Sequence, residues 1–170
     1  IEGLVNEFSN FARMPRPIFK EMNIIEVVKK SIEFVKMSSK SQINVESNHK
    51  ELKIIGDTEQ LNRVFINLIK NSEEAFLDVI KKTPNFKGKI DIEIYSNNDY
   101  IVIKLTDNGT GISDTKKVMK PYFTTKAKGS GLGLPIVSKI INDHSGDFVI
   151  KNKKNKDGII VEISFPKINA

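Results

Sequence analysis

The chain has 170 residues, 27 Lys and Arg against 21 Asp and Glu, a net charge of +6 and no cysteine. Disulfides, cysteine zinc sites and thiol nucleophiles are thereby excluded, and with only His49 and His144 present so is a multi-histidine metal centre. A single domain of this length can bury roughly 70% of its unfolded surface, so it needs no such staple, and no apolar run approaches the roughly 18 residues of a membrane span.

The chain opens on Ile1 rather than Met, with no signal peptide, and reads as a piece of something longer. Ile1, Leu4, Phe8 and Phe11 alternate spacings of three and four, the seam of a helix packed on other helices. Met14-Pro15-Arg16-Pro17 stops the pattern, because proline removes a donor and restrains its predecessor. Residues 24–38 set Ile24, Val27, Val28, Ser31, Ile32 and Val35 at helical spacing, and residues 42–46 and 53–56 read as short strands. Asp57 or Thr58 then caps a long helix with the stripe Leu61, Val64, Phe65, Leu68, Ile69, Ala75, Phe76 and Val79. Residues 89–96 and 100–105 alternate around an Asn97-Asn98-Asp99 turn, a hairpin pattern. Residues 107–130 are irregular, residues 132–144 helical, and residues 147–151 and 159–165 form a last strand pair joined by a lysine-rich turn. One antiparallel-rich sheet with helices on one face is the natural packing of this series.

Charge is unevenly spread. The first 106 residues are close to neutral, whereas residues 112–130 hold Lys116, Lys117, Lys120, Lys126 and Lys128 against Asp114 alone. Net charge by itself permits a polyanion partner without choosing one.

Four segments bear chemistry. Asn67 and Asn71, four apart on the long helix, project from one face, and an amide oxygen is a hard neutral donor suited to Mg²⁺; a solvated helix face looks the same. Asp107-Asn-Gly109-Thr-Gly111-Ile112 follows a strand. Its glycines let a flat ligand approach the backbone and its Asp is an acceptor matched to an exocyclic amine, although a tight turn has the same composition. Gly129-Ser-Gly131-Leu132-Gly133 leads into a helix, whose free N–H groups can cradle phosphate or simply end a flexible loop. Between the two glycine segments lies Pro121-Tyr-Phe-Thr124-Thr125-Lys126, either a lid over phosphates or a surface loop.

The ordered set closely resembles the N, G1, F and G2 boxes of the histidine-kinase catalytic domain, within the superfamily that also contains gyrase and the Hsp90 chaperones. The likeness covers about residues 24–166. Residues 7–15 and the run from Asn67 to Ala75 are most similar to nitrogen-regulation sensor kinases of the NtrY type.

The resemblance implies an α+β, two-layer α/β sandwich (the Bergerat ATP-binding fold) with a mixed, mostly antiparallel sheet and helices on one face. Residues 1–17 would be the C-terminal end of a dimerisation or phosphoacceptor helix, and residues 18–170 the ATP-binding catalytic domain. ATP and Mg²⁺ would be bound, with Asn71 as the metal ligand and Asn67 beside it, both counted as catalytic. Asp107 would hold the adenine amine, with Gly109, Gly111 and Ile112 shaping that wall. Thr124, Thr125 and Lys126 would belong to the lid, and Gly129, Gly131, Leu132 and Gly133 to the phosphate cradle.

Two departures stand out. Glu74 occupies the place where many relatives have a phosphate-neutralising Lys, leaving that task to Lys70 or the lid lysines. Asn67 stands where gyrase-like hydrolases have a Glu that activates water; an amide cannot act as that base, which favours transfer over hydrolysis. Neither histidine reads as the phosphoacceptor, so the fragment is expected to bind Mg-ATP without labelling itself.

The implied activity is transfer of the γ-phosphate to a histidine on a dimerisation domain absent here; the alternative is a nucleotide-gated protein-interaction module or degenerate kinase of the same fold without phosphotransfer. Implied partners are the dimerisation domain of the same kinase and a response regulator, with a homodimeric parent and no nucleic acid. The fragment would be cytoplasmic, its parent open to anchoring in the inner membrane.

Overall fold

Alternation of apolar and polar residues lays down a five-stranded sheet in the order β2-β4-β5-β7-β6. Its strands are β2 (Gln42–Glu46), β4 (Lys89–Ser96), β5 (Tyr100–Asp107), β6 (Asp147–Asn152) and β7 (Ile159–Pro166). The computed structural model describes residues 5, 6, 9, 12–120, 133–155 and 157–168. Only the β2–β4 pair is parallel; β4–β5, β5–β7 and β6–β7 are antiparallel. A separate two-stranded ribbon pairs β1 (Lys20–Asn23) with β3 (Lys53–Gly56). Residues 20–23 are not legible as a strand in the sequence, since Lys-Glu-Met-Asn has no alternation and gains its structure only from pairing with β3.

Register sorts the sheet's two faces. Ile92, Leu105, Val161 and Ile150 align across four strands, as do Ile94, Ile103, Ile163 and Phe148. These rows join the core with helices α1 (Ile24–Lys36), α2 (Thr58–Lys82) and α3 (Gly133–Asp143). The opposite face carries polar rows such as Glu93, Lys104 and Glu162. This is the α+β arrangement of a mixed, mostly antiparallel sheet with its helices on the apolar face.

α2 buries Leu61, Val64, Phe65, Leu68, Ile69, Ser72 and Phe76, while Ala75 and Val79 are only half-buried. Asp57 caps α2: its Oδ1 accepts from the N–H groups of Glu59 and Gln60 at 3.0 and 3.1 Å. Its other oxygen accepts from the Ile18 N–H at 2.7 Å, and Gln60 Nε2 donates to Pro15 O at 2.9 Å. The segment that follows the N-terminal helical residues is thus fastened to the start of α2. Val5, Asn6, Ser9 and Ala12 are helical and the helix ends before Met14, as the prolines require; Ile1, Leu4, Phe8 and Phe11 lie outside the described residues. No helix among the described residues is long and apolar enough to cross a membrane.

Candidate functional site

Alternation along β5 puts Asp107 on the same face as Ile103 and Leu105, so its carboxylate enters the layer between sheet and helix rather than solvent. It is 3% exposed. A carboxylate there needs donors, and it has them. Oδ1 accepts from the N–H groups of Gly109 (3.0 Å) and Ile159 (3.1 Å), and Oδ2 accepts from Ser72 Oγ at 2.6 Å.

The residues after Asp107 are fixed in turn. Asn108 Oδ1 accepts from Lys89 N at 2.7 Å and its Nδ2 donates to Lys87 O at 3.0 Å, which holds the loop entering β4. Gly109 passes so close to α2 that a Cβ would stand 2.9 Å from Ala75 Cβ. Gly111 turns the chain at φ 74°. Ile112 is then gripped by Asn152, whose Oδ1 accepts from Ile112 N and whose Nδ2 donates to Ile112 O, both at 2.7 Å. A side-chain amide here imitates one rung of a β-ladder.

Asn71 is half-buried on α2, one residue before Ser72, and Asn67 is half-buried one turn earlier. A Cβ placed on Gly133, at the described start of α3, would lie 3.7 Å from Asn71 Oδ1 and 3.8 Å from its Nδ2. The structure therefore brings Asn71 to the start of α3, and Ser72 to Asp107, from consecutive positions of one helix. Lys116, Lys117 and Lys120 are exposed around the short 3₁₀ turn Lys117–Met119, which packs against α3. Asp114 caps that turn, and the backbone N–H groups of Lys117 and Lys116 hold its carboxyl below the ordinary value. Thr124, Thr125, Lys126, Gly129, Gly131 and Leu132 lie outside the described residues.

Amide oxygens at Asn67 and Asn71 form a donor set that fits a hard divalent ion completed by water and phosphate oxygens. Among the described residues, no group of three or more His, Cys, Asp or Glu gathers to hold a metal.

Two further polar residues prove structural. His49 is exposed between β2 and β3, and its N–H donates to Ser47 Oγ at 3.2 Å. His144 is buried at the end of α3, where Nε2 accepts from Asp57 N at 2.9 Å and Nδ1 lies 2.7 Å from Ile140 O, with the Phe19 ring edge-on. This pattern requires the neutral ring with its proton on Nδ1. Burial pushes the His144 pKa below its ordinary 6.5, against the raising influence of Ile140 O, Asp57 and Asp143. The unfolded chain then takes up the proton first as pH falls. Stability is expected to be level above about pH 6.5 and to decline as pH drops through that value toward the folded-state pKa. Urea denaturation between pH 5 and 8 checks this, and His144→Gln should flatten the decline.

Asp107, Asn71 and Gly133 were singled out in the sequence as candidate site residues; Ser72 and Asn152, which hold Asp107 and Ile112, were not, yet a signal for each existed. Ser72 continues the series Leu61, Phe65, Leu68 and Phe76 on the apolar stripe of α2, and Asn152 continues Phe148 and Ile150 on the inner side of β6. A polar residue in an apolar register needs a partner.

Residues 56–169 match the family model described as histidine kinase-, DNA gyrase B- and HSP90-like ATPase. A protein of Rickettsia conorii (strain ATCC VR-613 / Malish 7) named as an NtrY-like sensor histidine kinase is 35% identical over 168 residues, 97% of this chain and 27% of that protein. Nitrogen regulation protein NtrY of Azorhizobium caulinodans is 26% identical over 166 residues, 96% of this chain and 21% of that protein. The chain thus spans about a quarter of the length of these relatives. The solved catalytic domain of histidine kinase ThkA superposes with a TM-score of 0.74 at 27% identity, covering 88% of this chain and 96% of that one. ThkA in complex with response regulator protein TrrA superposes at 0.75 with 22% identity, over 98% of this chain and 47% of that one, a likeness of fold.

Proposed function

The chain belongs to the histidine kinase-, DNA gyrase B- and HSP90-like ATPase family, and on that premise we propose that it is the ATP-binding catalytic domain of a sensor histidine kinase. The supporting observation is what two adjacent residues of α2 face. Asn71 faces the start of α3, and Ser72 faces the donor-held carboxylate of Asp107.

In this reading Asp107 accepts from the adenine amine, and Gly109 and Gly111 keep the wall thin enough for the base to lie against backbone. Asn71, with Asn67 beside it, holds Mg²⁺, which when bound neutralises charge on the triphosphate. Gly133 keeps the start of α3 open to the phosphate end, beside the amide of Asn71. Thr124, Thr125 and Lys126 act as the lid, and Gly129, Gly131 and Leu132 complete the cradle. Lys116, Lys117 and Lys120 add positive charge close to α3, where Glu74 offers none. The domain positions the γ-phosphate for in-line attack by a histidine on a separate helical domain, of which residues 1–17 are the trailing end. An amide at position 67 leaves bulk water without a base to activate it. The parent would be a homodimer, passing its phosphoryl group to a response regulator and working in the cytoplasm, at the membrane face if anchored.

Asp107→Asn tests the base subsite. The two backbone N–H groups at Oδ1 will hold the amide oxygen, which turns Nδ2 toward Ser72 and the incoming amine, donor against donor. Hydrogen bonds to charged groups contribute about 1.5–3 kcal/mol, so calorimetric titration should show Mg-ATP binding about 10- to 100-fold weaker. Unchanged affinity would contradict the assignment. Incubating the wild-type chain with Mg-ATP and an added dimerisation domain bearing its histidine should label that domain and not this chain. Labelling of neither, with ATP bound, would leave a nucleotide-gated binding module instead.

A further inference from the structure

Ser72 has no part in the site as described so far except through Asp107. It is 1% exposed, too buried to touch a nucleotide, and its hydroxyl lies 2.6 Å from Asp107 Oδ2. We propose that Ser72 is the positioning residue that sets base selectivity, orienting Asp107 so that the site takes a purine with an exocyclic amine and refuses a 6-oxo purine. The inference rests on the reading of Asp107 as the base-binding carboxylate.

The argument is one of saturation. Oδ1 already receives two backbone N–H groups, from Gly109 and Ile159, so Oδ2 is the oxygen left to meet a ligand. A serine hydroxyl has one proton to give. With that proton committed to Oδ2, the carboxyl is held from both ends in one plane, and a further donor approaching Oδ2 finds an aligned lone pair. A 6-amino group supplies such a donor. A 6-oxo group supplies a second acceptor and is repelled.

Without the hydroxyl, Oδ2 loses its inner anchor. The carboxyl is then free to swing about its last torsion, which removes the preference for an amine. Placement strengthens the case. Ser72 sits in the apolar stripe of α2 beside Leu68 and Phe76, where a hydroxyl is out of place unless it is needed. Because Asn71 precedes it, the helix that presents the metal-binding amide also fixes the orientation of the base-reading carboxylate.

The test is titration of the Mg²⁺ complexes of ATP and inosine triphosphate, which differ in the 6-substituent and in the proton that the 6-oxo base carries on N1, into wild type, Ser72→Ala, Ser72→Cys and Ser72→Thr. Wild type should prefer ATP by tenfold or more. Ser72→Ala should weaken ATP binding about tenfold and leave inosine triphosphate within about twofold, so that the ratio collapses. Ser72→Cys keeps the volume but not the strong donor and should do the same, which covers a failure of the alanine variant to fold. Ser72→Thr keeps the hydroxyl and should restore the ratio. Equal weakening of both nucleotides would show a merely structural serine and overturn the proposal, as would an unchanged ratio. A wild type indifferent to the 6-substituent would instead overturn the reading of Asp107 itself.

Discussion

Asn71→Ala is expected to abolish the metal-dependent part of ATP binding and to lower phosphotransfer by about 10²- to 10³-fold, the scale on which a single electrostatic positioning group acts. Asn71 is half-buried beside Gly133, so on the proposed reading the substitution removes an oxygen ligand at the phosphate end without opening a cavity in the core. The check is titration of ATP with Mg²⁺ and with a chelator: wild type should show a large difference, the variant almost none. A variant that keeps the wild-type metal dependence would remove Asn71 from the site. Asn67→Ala should act in the same direction with a smaller effect, because Asn67 lies a turn before Asn71 on α2 and only Asn71 is seen beside Gly133.

Gly158→Ala should be strongly destabilising, at about 3 kcal/mol or more and about 10 °C in thermal midpoint. Gly158 has φ 110°, a backbone state that L side chains rarely adopt. A Cβ there would stand 2.0 Å from the Asp107 carbonyl oxygen, 2.7 Å from its carbonyl carbon and 2.9 Å from Oδ1. Backbone must move, and the backbone in question is the end of β5. Ile159 N would be drawn off Oδ1, so the folded fraction should also bind ATP more weakly. Differential scanning calorimetry with and without Mg-ATP separates the two effects: wild type should gain in midpoint with nucleotide, and the variant should gain less.

The sheet was largely legible because it is written in period two. Strands β4, β5 and β7 place Ile90, Ile92 and Ile94, Ile101, Ile103 and Leu105, and Ile159, Val161, Ile163 and Phe165 at every second position, and their buried face follows directly. β1 was not legible, since Lys20–Asn23 takes its strand form from a partner thirty residues on. The candidate site could be named where chemistry recurs in order, at Asn67, Asn71, Asp107 and the glycines. It was unreadable where one residue serves another from across the fold. Ser72 reaches 35 positions to Asp107, and Asn152 reaches 40 to Ile112. Such pairs are set by how α2 and β6 lie on the sheet, which local pattern does not encode. His144 was read from the sequence as a structural residue at its helix end, but its partner, Asp57 N across 87 positions, needed the fold to be seen.

The fastening at Asp57 has a mechanical meaning. One carboxylate both caps α2 and grips Ile18, so strain entering along residues 14–19 arrives at the root of the helix that bears Asn67, Asn71 and Ser72. At a rise of 1.5 Å per residue, Asn71 stands about 21 Å along that helix from its cap. A tilt of about three degrees at the root swings the far position by about an ångström, a displacement that can cost a reaction about a hundredfold in rate. α2 is in this sense a lever with its fulcrum at Asp57: the short arm is the incoming chain and the long arm carries Asn67, Asn71 and Ser72.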